Sequence, residues 1–342
     1  MSTSKAPLLS VRNLKTSFHT LDGIVNAVNG VDFDVFPGET LGIVGESGCG
    51  KSVTSLSILG LLNPSNTTIQ GQIDFEGKNL LNMDAEQKRR LRGNTISMIF
   101  QEPMTSLNPI LTVGEQIAES LRLHERLNKK QAGEKAIRML EMVQIPSPKV
   151  RAGQYPHKLS GGMRQRAMIA MALACNPRLI FADEPTTALD VTIQAQILNL
   201  MNHLIKGSNT AIVLITHDLG VVAQMASRVV VMYAGKVVEE APVVELFHDP
   251  QHPYTKGLLK SVPVLSADKN SRLNEIPGIV PNLLHMPQGC NFHPRCAQAM
   301  KTCRTKSPPM VHFQSNRRVA CWQAGQEGPK IQSSETRGLK GS

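Results

Sequence analysis

Residues 8–40 alternate between apolar and polar positions. The alternation is clearest in VDFDVF, where Val31, Phe33 and Val35 fall on one face and two aspartates fall on the other. A period of two over this length indicates a half-buried antiparallel strand. The run ends at Pro37–Gly38, a pair that favours a turn.

Three later segments, TLGIV, LIFAD and AIVLIT, are continuously apolar instead of alternating. Such short runs are typical of parallel strands that are buried on both faces. Helical patterns separate them: within residues 111–143, for example, Val113, Ile117 and Leu121 repeat every four positions. Strands that alternate with helices predict a doubly wound α/β core. We also expect a hairpin that turns at Ala234–Gly235, within RVVVMYAGKVVEE.

The pattern changes beyond about residue 240, where prolines recur and apolar runs shorten. We expect residues 1–7 and the polar tail 324–342 to be disordered. The longest apolar run, the nine residues Ala167–Cys175, is shorter than the ~18 residues that a bilayer span requires. The N-terminus has no apolar core followed by a cleavage site, so we expect a chain made in the cytosol.

The net charge is +10, from 37 Lys and Arg against 27 Asp and Glu. A net positive charge is compatible with binding to nucleic acid, to anionic lipid or to a polyanion such as a nucleotide. The strongest basic run, QKRRLR at 87–92, is more typical of a solvated helix face than of a nucleic-acid patch. Aromatic residues are not interleaved with basic ones, which argues against stacking on RNA. We therefore expect no nucleic-acid partner.

The segment GESGCGKS, residues 45–52, matches the phosphate-loop pattern G-x-x-x-x-G-K-S. Glycines let backbone N–H groups turn towards phosphate oxygens, and the following helix directs its positive end at the same anion. Lys51 is predicted to reach the β- and γ-phosphates and Ser52 to hold Mg²⁺. Cys49 is interpreted as a small residue that faces away from the nucleotide. The alternative is a glycine turn without a ligand. The predicted nucleotide-binding residues here are Gly45, Glu46, Ser47, Gly48, Cys49, Gly50, Lys51, Ser52 and Val53.

Two of the apolar strands end in residues suited to phosphate chemistry. Asp183 and Glu184 follow LIFA, and His217 follows AIVLIT. Ligands bind at the carboxyl edge of a parallel sheet, so Asp183 is predicted to hold Mg²⁺ and Glu184 to accept a proton from the attacking water. His217 is predicted to contact the γ-phosphate or to orient that water. The alternatives are two solvated acids and a structural histidine.

The octapeptide LSGGMRQR, residues 159–166, resembles the signature motif of ABC ATPases. Ser160, Gly161 and Gly162 offer a hydroxyl and open N–H groups at a helix start, which makes a second anion site. Family members usually carry Gln where this chain has Met163, a departure that removes one polar group.

The resemblance covers about residues 8–265 and assigns further roles. It implies that Gln101 senses Mg²⁺ and the transport partner and that His217 is the switch histidine. It also implies that Asp190 ends the D-loop and that Phe18 stacks on adenine, although a core position for Phe18 is the alternative. Together the residues and the resemblance name Glu184, His217, Gln101 and Lys51 as catalytic.

The resemblance implies an ABC-type P-loop ATPase fold. Its parts are a RecA-like parallel sheet core, an antiparallel β subdomain and a helical signature subdomain at about 102–165. In this family two nucleotide domains meet head to tail, and each ATP lies between the phosphate loop of one and the signature of the other. The chain has one phosphate loop and one signature. It therefore needs a second ATPase chain, and separate permeases if it is a transporter.

Several segments, including QEPMTSLNP and HPYTKGLL, resemble the ATP-binding subunits of oligopeptide and dipeptide importers. This implies a pair of related ATPase chains, two membrane permeases and an external peptide-binding protein. It also implies a peripheral location on the cytoplasmic face of the membrane. The alternatives are a related importer for nickel or another small solute, and a soluble ABC ATPase acting on nucleic acid.

Four of the six cysteines lie in the predicted extension 266–323: Cys290, Cys296, Cys303 and Cys321. Disulfides are unexpected in a reducing cytosol, and the C-x₂₋₄-C pairs typical of zinc sites are absent. From the residues alone, a metal or cluster site and idle thiols both stay open. The pattern resembles the C-terminal extension of peptide-importer ATPases, which implies a structural 4Fe–4S cluster. Zinc is the alternative, and the nearby His293 and His312 are taken as surface residues.

Overall fold

A computed structural model of the protein describes residues 6–187, 189–205, 209–261, 275–312 and 316–324. The disorder predicted for residues 1–7 and 324–342 falls almost entirely outside the described residues. The same holds for the predicted domain boundary at 265/266. No helix in the described part of the chain is long and apolar enough to cross a membrane.

The described chain forms two sheets and the helices around them. The strands are β1 (Leu9–Thr20), β2 (Gly23–Val35), β3 (Thr40–Val44), β4 (Thr67–Phe75), β5 (Lys78–Asn79), β6 (Ile96–Ile99), β7 (Leu179–Asp183), β8 (Ala211–Thr216), β9 (Arg228–Tyr233), β10 (Lys236–Pro242), β11 (Val311–His312) and β12 (Arg318–Val319). The helices are α1 (Lys51–Leu59), α2 (Ala85–Leu91), α3 (Pro103–Ser106), α4 (Val113–Glu125), α5 (Lys129–Met142), α6 (Pro148–Ala152), α7 (Gly161–Leu173), α8 (Val191–Ile205), α9 (Leu219–Met225), α10 (Val243–His248), α11 (Pro253–Lys260) and α12 (Lys301–Thr305).

The larger sheet has the order β11-β12-β10-β9-β3-β8-β7-β6, and its strands β9, β3, β8, β7 and β6 are mutually parallel. Alternate side chains of β7 enter different hydrophobic clusters: Ile180 and Ala182 enter one, and Leu179 and Phe181 the other. Both faces are therefore covered, which explains why the strand is a continuous apolar run. The predicted parallel α/β core is confirmed.

The smaller sheet, in the order β2-β1-β4-β5, is antiparallel. Val31, Phe33 and Val35 of β2 are fully buried, and they pair across β1 with Leu14, Val11 and Leu9 respectively. Their regular spacing places them on one face against the core. The strand predicted from this alternation is confirmed.

The periodic region 111–143, predicted to be helical, forms two helices, α4 and α5. Arg126 ends α4 in a left-handed conformation with φ of 56°. Asn128 then begins α5 with a capping box, in which Asn128 and Gln131 satisfy each other's backbone N–H groups. The core-facing residues of α4 are buried, as their spacing predicts.

Strands β9 and β10 form the predicted hairpin, with Tyr233 opposite Lys236. Ala234 and Gly235 both have positive φ, 44° and 79°, as a two-residue hairpin turn requires. The C-terminal segment returns to this region: β12 pairs with β10, and Phe292 is buried beside Tyr233 and Tyr254.

Candidate functional site

Three neighbouring strands of the larger sheet bring the predicted site residues to one edge. The phosphate loop follows β3, His217 follows β8 and Glu184 follows β7, and these strands are adjacent in the order β3-β8-β7. All three are parallel, so their carboxyl ends meet at the same edge. The sheet topology thus gathers residues that are up to 172 positions apart in the sequence, from Gly45 to His217.

The phosphate loop connects β3 to α1 along a path that only glycine can follow at two points. A Cβ on Gly45 would overlap with the carbonyl oxygen of Met232, and a Cβ on Gly50 would overlap with that of Ala27. Gly50 also has φ of 99° as it caps α1. The loop is therefore pressed against the backbone of β9 and β2 at these two glycines.

Lys51 is buried, and its ammonium forms hydrogen bonds within the phosphate loop. The Nζ atom donates to the carbonyl oxygens of Gly45 (2.7 Å) and Glu46 (3.0 Å). A cation at the N-terminus of α1 adds to the positive end of the helix, so the loop attracts a polyanion. The Cys49 side chain is fully buried, and burial raises the pKa of its thiol.

Ser52 and Asp183, the two residues predicted above to hold Mg²⁺ together with Gln101, lie within hydrogen-bonding distance of each other. The Ser52 hydroxyl donates to Asp183 Oδ1 at 3.1 Å. Burial raises the pKa of the Asp183 carboxyl despite this hydrogen bond. A hydroxyl and a carboxylate are the hard oxygen ligands that Mg²⁺ prefers, and the cation would offset the desolvation of the carboxylate.

Glu184 is held by three side chains. Its carboxylate accepts hydrogen bonds from Thr187 Oγ1 (2.8 Å) and Gln101 Nε2 (3.0 Å), and it lies 2.9 Å from His217 Nδ1. Burial opposes ionisation of this carboxyl, but the hydrogen bonds from His217 and Thr187 outweigh it and lower its pKa. Glu184 also has φ of 45°, a strained conformation typical of functional sites.

Two of these partners add to what the sequence predicts. Gln101 was predicted to sense Mg²⁺ as one of its ligands, and that role stays a prediction; in this structure its side chain contacts Glu184. Thr187 was not singled out at all. Its position three residues after Glu184 is the signal that was available, because such a spacing lets a hydroxyl reach back across a turn.

The signature residues pack against the start of α8. Ser160 caps α7 by accepting a hydrogen bond from the Met163 N–H at 3.3 Å, and a Cβ on Gly162 would touch Ile193 at 3.0 Å. Asp190 caps α8 through Ile193 N. Within the described residues, no hydrogen bond joins Ser160 to the phosphate loop of the same chain.

Phe18 lies in β1 opposite Val25 and Thr67, and its side chain is only half-buried. It is therefore not a core residue, which was the alternative to its predicted role in stacking. That role stays a prediction.

The four C-terminal cysteines line one cavity, together with Phe292 and His293. Burial raises the pKa of the Cys290, Cys296 and Cys321 thiols. Among the described residues, no three Cys, His, Asp or Glu side chains are arranged to hold a metal ion, so the cluster is not confirmed.

The two histidines near these cysteines differ in exposure. His293 was expected on the surface, but it is half-buried against the cavity, and its Nδ1 lies 3.0 Å from the Cys290 carbonyl oxygen. His312 is exposed, as expected.

Known proteins match this chain over most of its length. The family described as "ABC transporter" matches residues 28–187, and "Oligopeptide/dipeptide transporter, C-terminal region" matches residues 238–303. The chain is 54% identical to a probable peptide ABC transporter ATP-binding protein, y4tR of Sinorhizobium fredii, covering 93% of this chain and 96% of the relative.

Two further relatives have closely similar coverage. The chain is 53% identical to the oligopeptide transport ATP-binding protein AppD of Bacillus subtilis, covering 94% of this chain and 98% of AppD. It is 51% identical to OppD of Escherichia coli, covering 94% of each chain.

Solved structures agree with these relatives. The dimeric ATP-binding cassette MJ0796, a structure bound to ADP and Pi, is similar with a TM-score of 0.62 and 28% identity over 69% of this chain and 98% of that one. The predicted ABC ATPase fold is confirmed by this likeness. The chain belongs to the ATP-binding proteins of the oligopeptide and dipeptide ABC transporter family.

Proposed function

We propose that this chain binds and hydrolyses ATP to power the import of peptides through separate membrane permeases. The observation that carries the proposal is the convergence of the phosphate loop, the Ser52–Asp183 pair and the Glu184–His217 pair at one sheet edge. The relatives are named for peptide and oligopeptide transport, which favours a peptide cargo over nickel and over an action on nucleic acid.

The geometry suggests how each residue acts. The phosphates would lie against the loop and the N-terminus of α1, and Lys51 would exchange its carbonyl contacts for phosphate oxygens. Ser52 and Asp183 would hold Mg²⁺, which supplies positive charge to offset that of the phosphates. Glu184 is ionised and accepts a proton from water, while His217 fixes the orientation of the carboxylate.

Gln101 is the residue whose contacts we expect to change when nucleotide binds. In this structure its amide donates a hydrogen bond to the Glu184 carboxylate. That bond uses one of the oxygens that could otherwise accept a hydrogen bond from the attacking water. Gln101 would leave Glu184 when it takes up its expected role beside Mg²⁺. Because Gln101 precedes the helical subdomain, this exchange would link the reacting groups to the surface that docks on the permeases.

The second half of the ATP site would come from another ATPase chain. Ser160, Gly161 and Gly162 present a capped helix start, yet Ser160 makes no hydrogen bond to its own phosphate loop among the described residues. A head-to-tail pair would bring them onto the γ-phosphate and complete its electrostatic cage. The partner is proposed to be a paralogue, with two permeases and, indirectly, an external peptide-binding protein.

In this arrangement the chain lies peripherally on the cytoplasmic face of the membrane. ATP closes the pair of ATPase chains, and loss of the γ-phosphate lets them open again. The permeases would follow that rigid-body movement. The predicted adenine contact of Phe18 and the D-loop role of Asp190 belong to the same proposal.

The four cysteines are proposed to hold a 4Fe–4S cluster that stabilises the C-terminal segment, with zinc as the alternative. Their donor chemistry suits such a group, since all four thiols line one small cavity. The raised pKa values of the Cys290, Cys296 and Cys321 thiols mean that protons must be displaced on binding, and the four thiols must move closer together than they now lie. The group would supply metal–thiolate bonds to a segment that is poor in secondary structure.

Replacing Glu184 by Gln tests the catalytic assignment. The amide keeps the size of the side chain but cannot accept the proton, so ATP should still bind while hydrolysis falls by at least about a hundredfold. The control is Glu134→Gln, a substitution on the exposed face of α5 that should leave both properties unchanged. An unchanged rate of phosphate release in the Glu184→Gln variant would contradict the assignment.

A further inference from the structure

Glu46, the second residue of the phosphate loop, is fixed from three directions. Its carboxylate accepts two hydrogen bonds from Arg295, Nη1–Oε2 at 2.7 Å and Nη2–Oε1 at 3.0 Å. Its N–H donates to the Tyr254 hydroxyl at 2.8 Å, and its carbonyl oxygen accepts from Lys51 Nζ. Two of these three partners lie more than 200 positions further along the chain.

Arg295 is itself held rigidly, so it can fix the position of another residue. Its side chain is only 4% exposed, compared with 29% for Glu46. The Nε atom donates to the Pro277 carbonyl oxygen at 2.9 Å, and Nη2 donates to that of Ile276 at 3.2 Å. The guanidinium also lies over the Tyr233 ring, 5.8 Å from its centroid. The planar fork therefore meets the Glu46 carboxylate in one orientation.

A second connection reaches the other end of the loop. Asn291 Nδ2 donates to the Ala234 carbonyl oxygen at 3.2 Å, within the turn between β9 and β10. The next residue of that turn, Gly235, donates its N–H to the Cys49 carbonyl oxygen at 3.0 Å. The segment 291–295 thus touches the phosphate loop directly at Glu46 and through the turn at Cys49.

Phe292 anchors the segment between these two connections. It is 4% exposed and packs edge-on against Tyr233, with ring centroids 5.2 Å apart, and against Tyr254 at 5.4 Å. Tyr254 is the residue that accepts the Glu46 N–H, so the aromatic contact and the loop contact share a side chain. Displacing the segment would therefore disturb several contacts to the loop together.

We propose that residues 291–295 form a brace that positions the phosphate loop for ATP, with Arg295 as a positioning residue that acts through Glu46. The loop must hold its N–H groups inward to receive phosphate, and a loop ordered before binding loses less entropy when the nucleotide arrives. The brace therefore sets the affinity for ATP and leaves the chemical step unchanged. Cys290 and Cys296 flank the brace in the sequence, and Phe292 of the brace also lines the cysteine cavity.

The test compares four variants of the full-length chain: Arg295→Gln, Glu46→Gln, the double variant, and Arg304→Gln as a control on an exposed arginine of α12, outside the brace. Binding of Mg²⁺ and ATP is measured by calorimetry. Each of the first two variants should bind about tenfold more weakly. The double variant should be no weaker than either, because both changes remove one interaction. Arg304→Gln should match the unsubstituted chain.

Steady-state hydrolysis in the complex with the permeases gives a readout that a purely structural contact would not change. We expect KM for ATP to rise and kcat at saturating ATP to stay the same, since a loop once occupied by nucleotide no longer needs the brace. Unchanged ATP affinity in folded Arg295→Gln, even with a lower melting temperature, would overturn the proposal.

The brace can still be tested if one variant does not fold, and its failure can be told apart from a failure of ATP binding. If Arg295→Gln does not fold, Glu46→Gln decides, because it breaks the same pair and leaves the C-terminal segment intact. The inference rests on the proposed ATP binding. Failure of the unsubstituted chain to bind ATP would overturn both, whereas normal binding by both the unsubstituted chain and the variants would overturn the brace alone.

Discussion

His252 offers a sharp test of how the C-terminal region is stabilised. It is 1% exposed, and its Nδ1 accepts the Tyr254 N–H at 3.0 Å, which caps α11. The backbone N–H of His252 donates to the Glu239 carboxylate at 2.9 Å. Burial lowers the pKa of the imidazole to about 3, so the ring is neutral in the folded chain at neutral pH. Protonation would both charge a buried group and remove the acceptor that caps the helix.

The size of the effect on the free energy of unfolding follows from the difference between the pKa of His252 in the folded and in the unfolded chain. The unfolded chain binds this proton near the ordinary value of about 6.5, and the folded chain only near 3. The stabilisation is therefore fully present above about pH 6.5 and is lost as pH falls towards 3. Between about pH 7.5 and pH 5, His252 alone should lower the free energy of unfolding by about 2 kcal/mol.

The variant His252→Asn removes the titration but keeps a side-chain oxygen that can cap the helix. Urea unfolding is followed at both pH values by the fluorescence of Trp322, the single tryptophan, which lies in the C-terminal segment. The unsubstituted chain should lose about 2 kcal/mol more than the variant between the two pH values.

Neighbouring acids do not disturb this comparison. Burial raises the pKa of Glu239, which contributes with the opposite sign, but it does so in both proteins and cancels in the difference. His312→Asn, on an exposed histidine, is the control and should behave as the unsubstituted chain does. Equal losses for the unsubstituted chain and His252→Asn would refute the assignment of a buried neutral histidine.

Two further predictions concern the C-terminal segment, and the first has a comparison variant in α5. Gly289 has φ of 75°, and a Cβ there would overlap with the Cys303 carbonyl oxygen, so Gly289→Ala should lower the free energy of unfolding by about 1–3 kcal/mol in urea melts. Gly133→Ala, in open space on α5, should instead stabilise by about 0.5–1 kcal/mol; loss of stability there would count against this reasoning. Anaerobically purified chain should carry about four iron and four sulfide ions, which Cys321→Ser should deplete and Cys175→Ser should not. A colourless protein with stoichiometric zinc would favour the alternative.

Local patterns predicted the secondary structure where one physical cause dominates. Val31, Phe33 and Val35 alternate with polar residues because one face of β2 meets the core, and LIFA is continuously apolar because both faces of β7 are covered. The apolar period of 111–143 predicts helix but does not show where one helix ends and the next begins. That division is marked by Asn128 followed by Gln131, a capping-box pattern.

The sequence by itself determined the phosphate-loop motif, the acids and histidine at strand ends, and the family, because these depend on residue types at short spacings. Only the tertiary structure decided that Gln101 contacts Glu184, that His293 is half-buried and that Arg295 pairs with Glu46. The last pair spans 249 positions. No local period connects such residues; their contact arises only when the sheet, α11 and the C-terminal segment pack together.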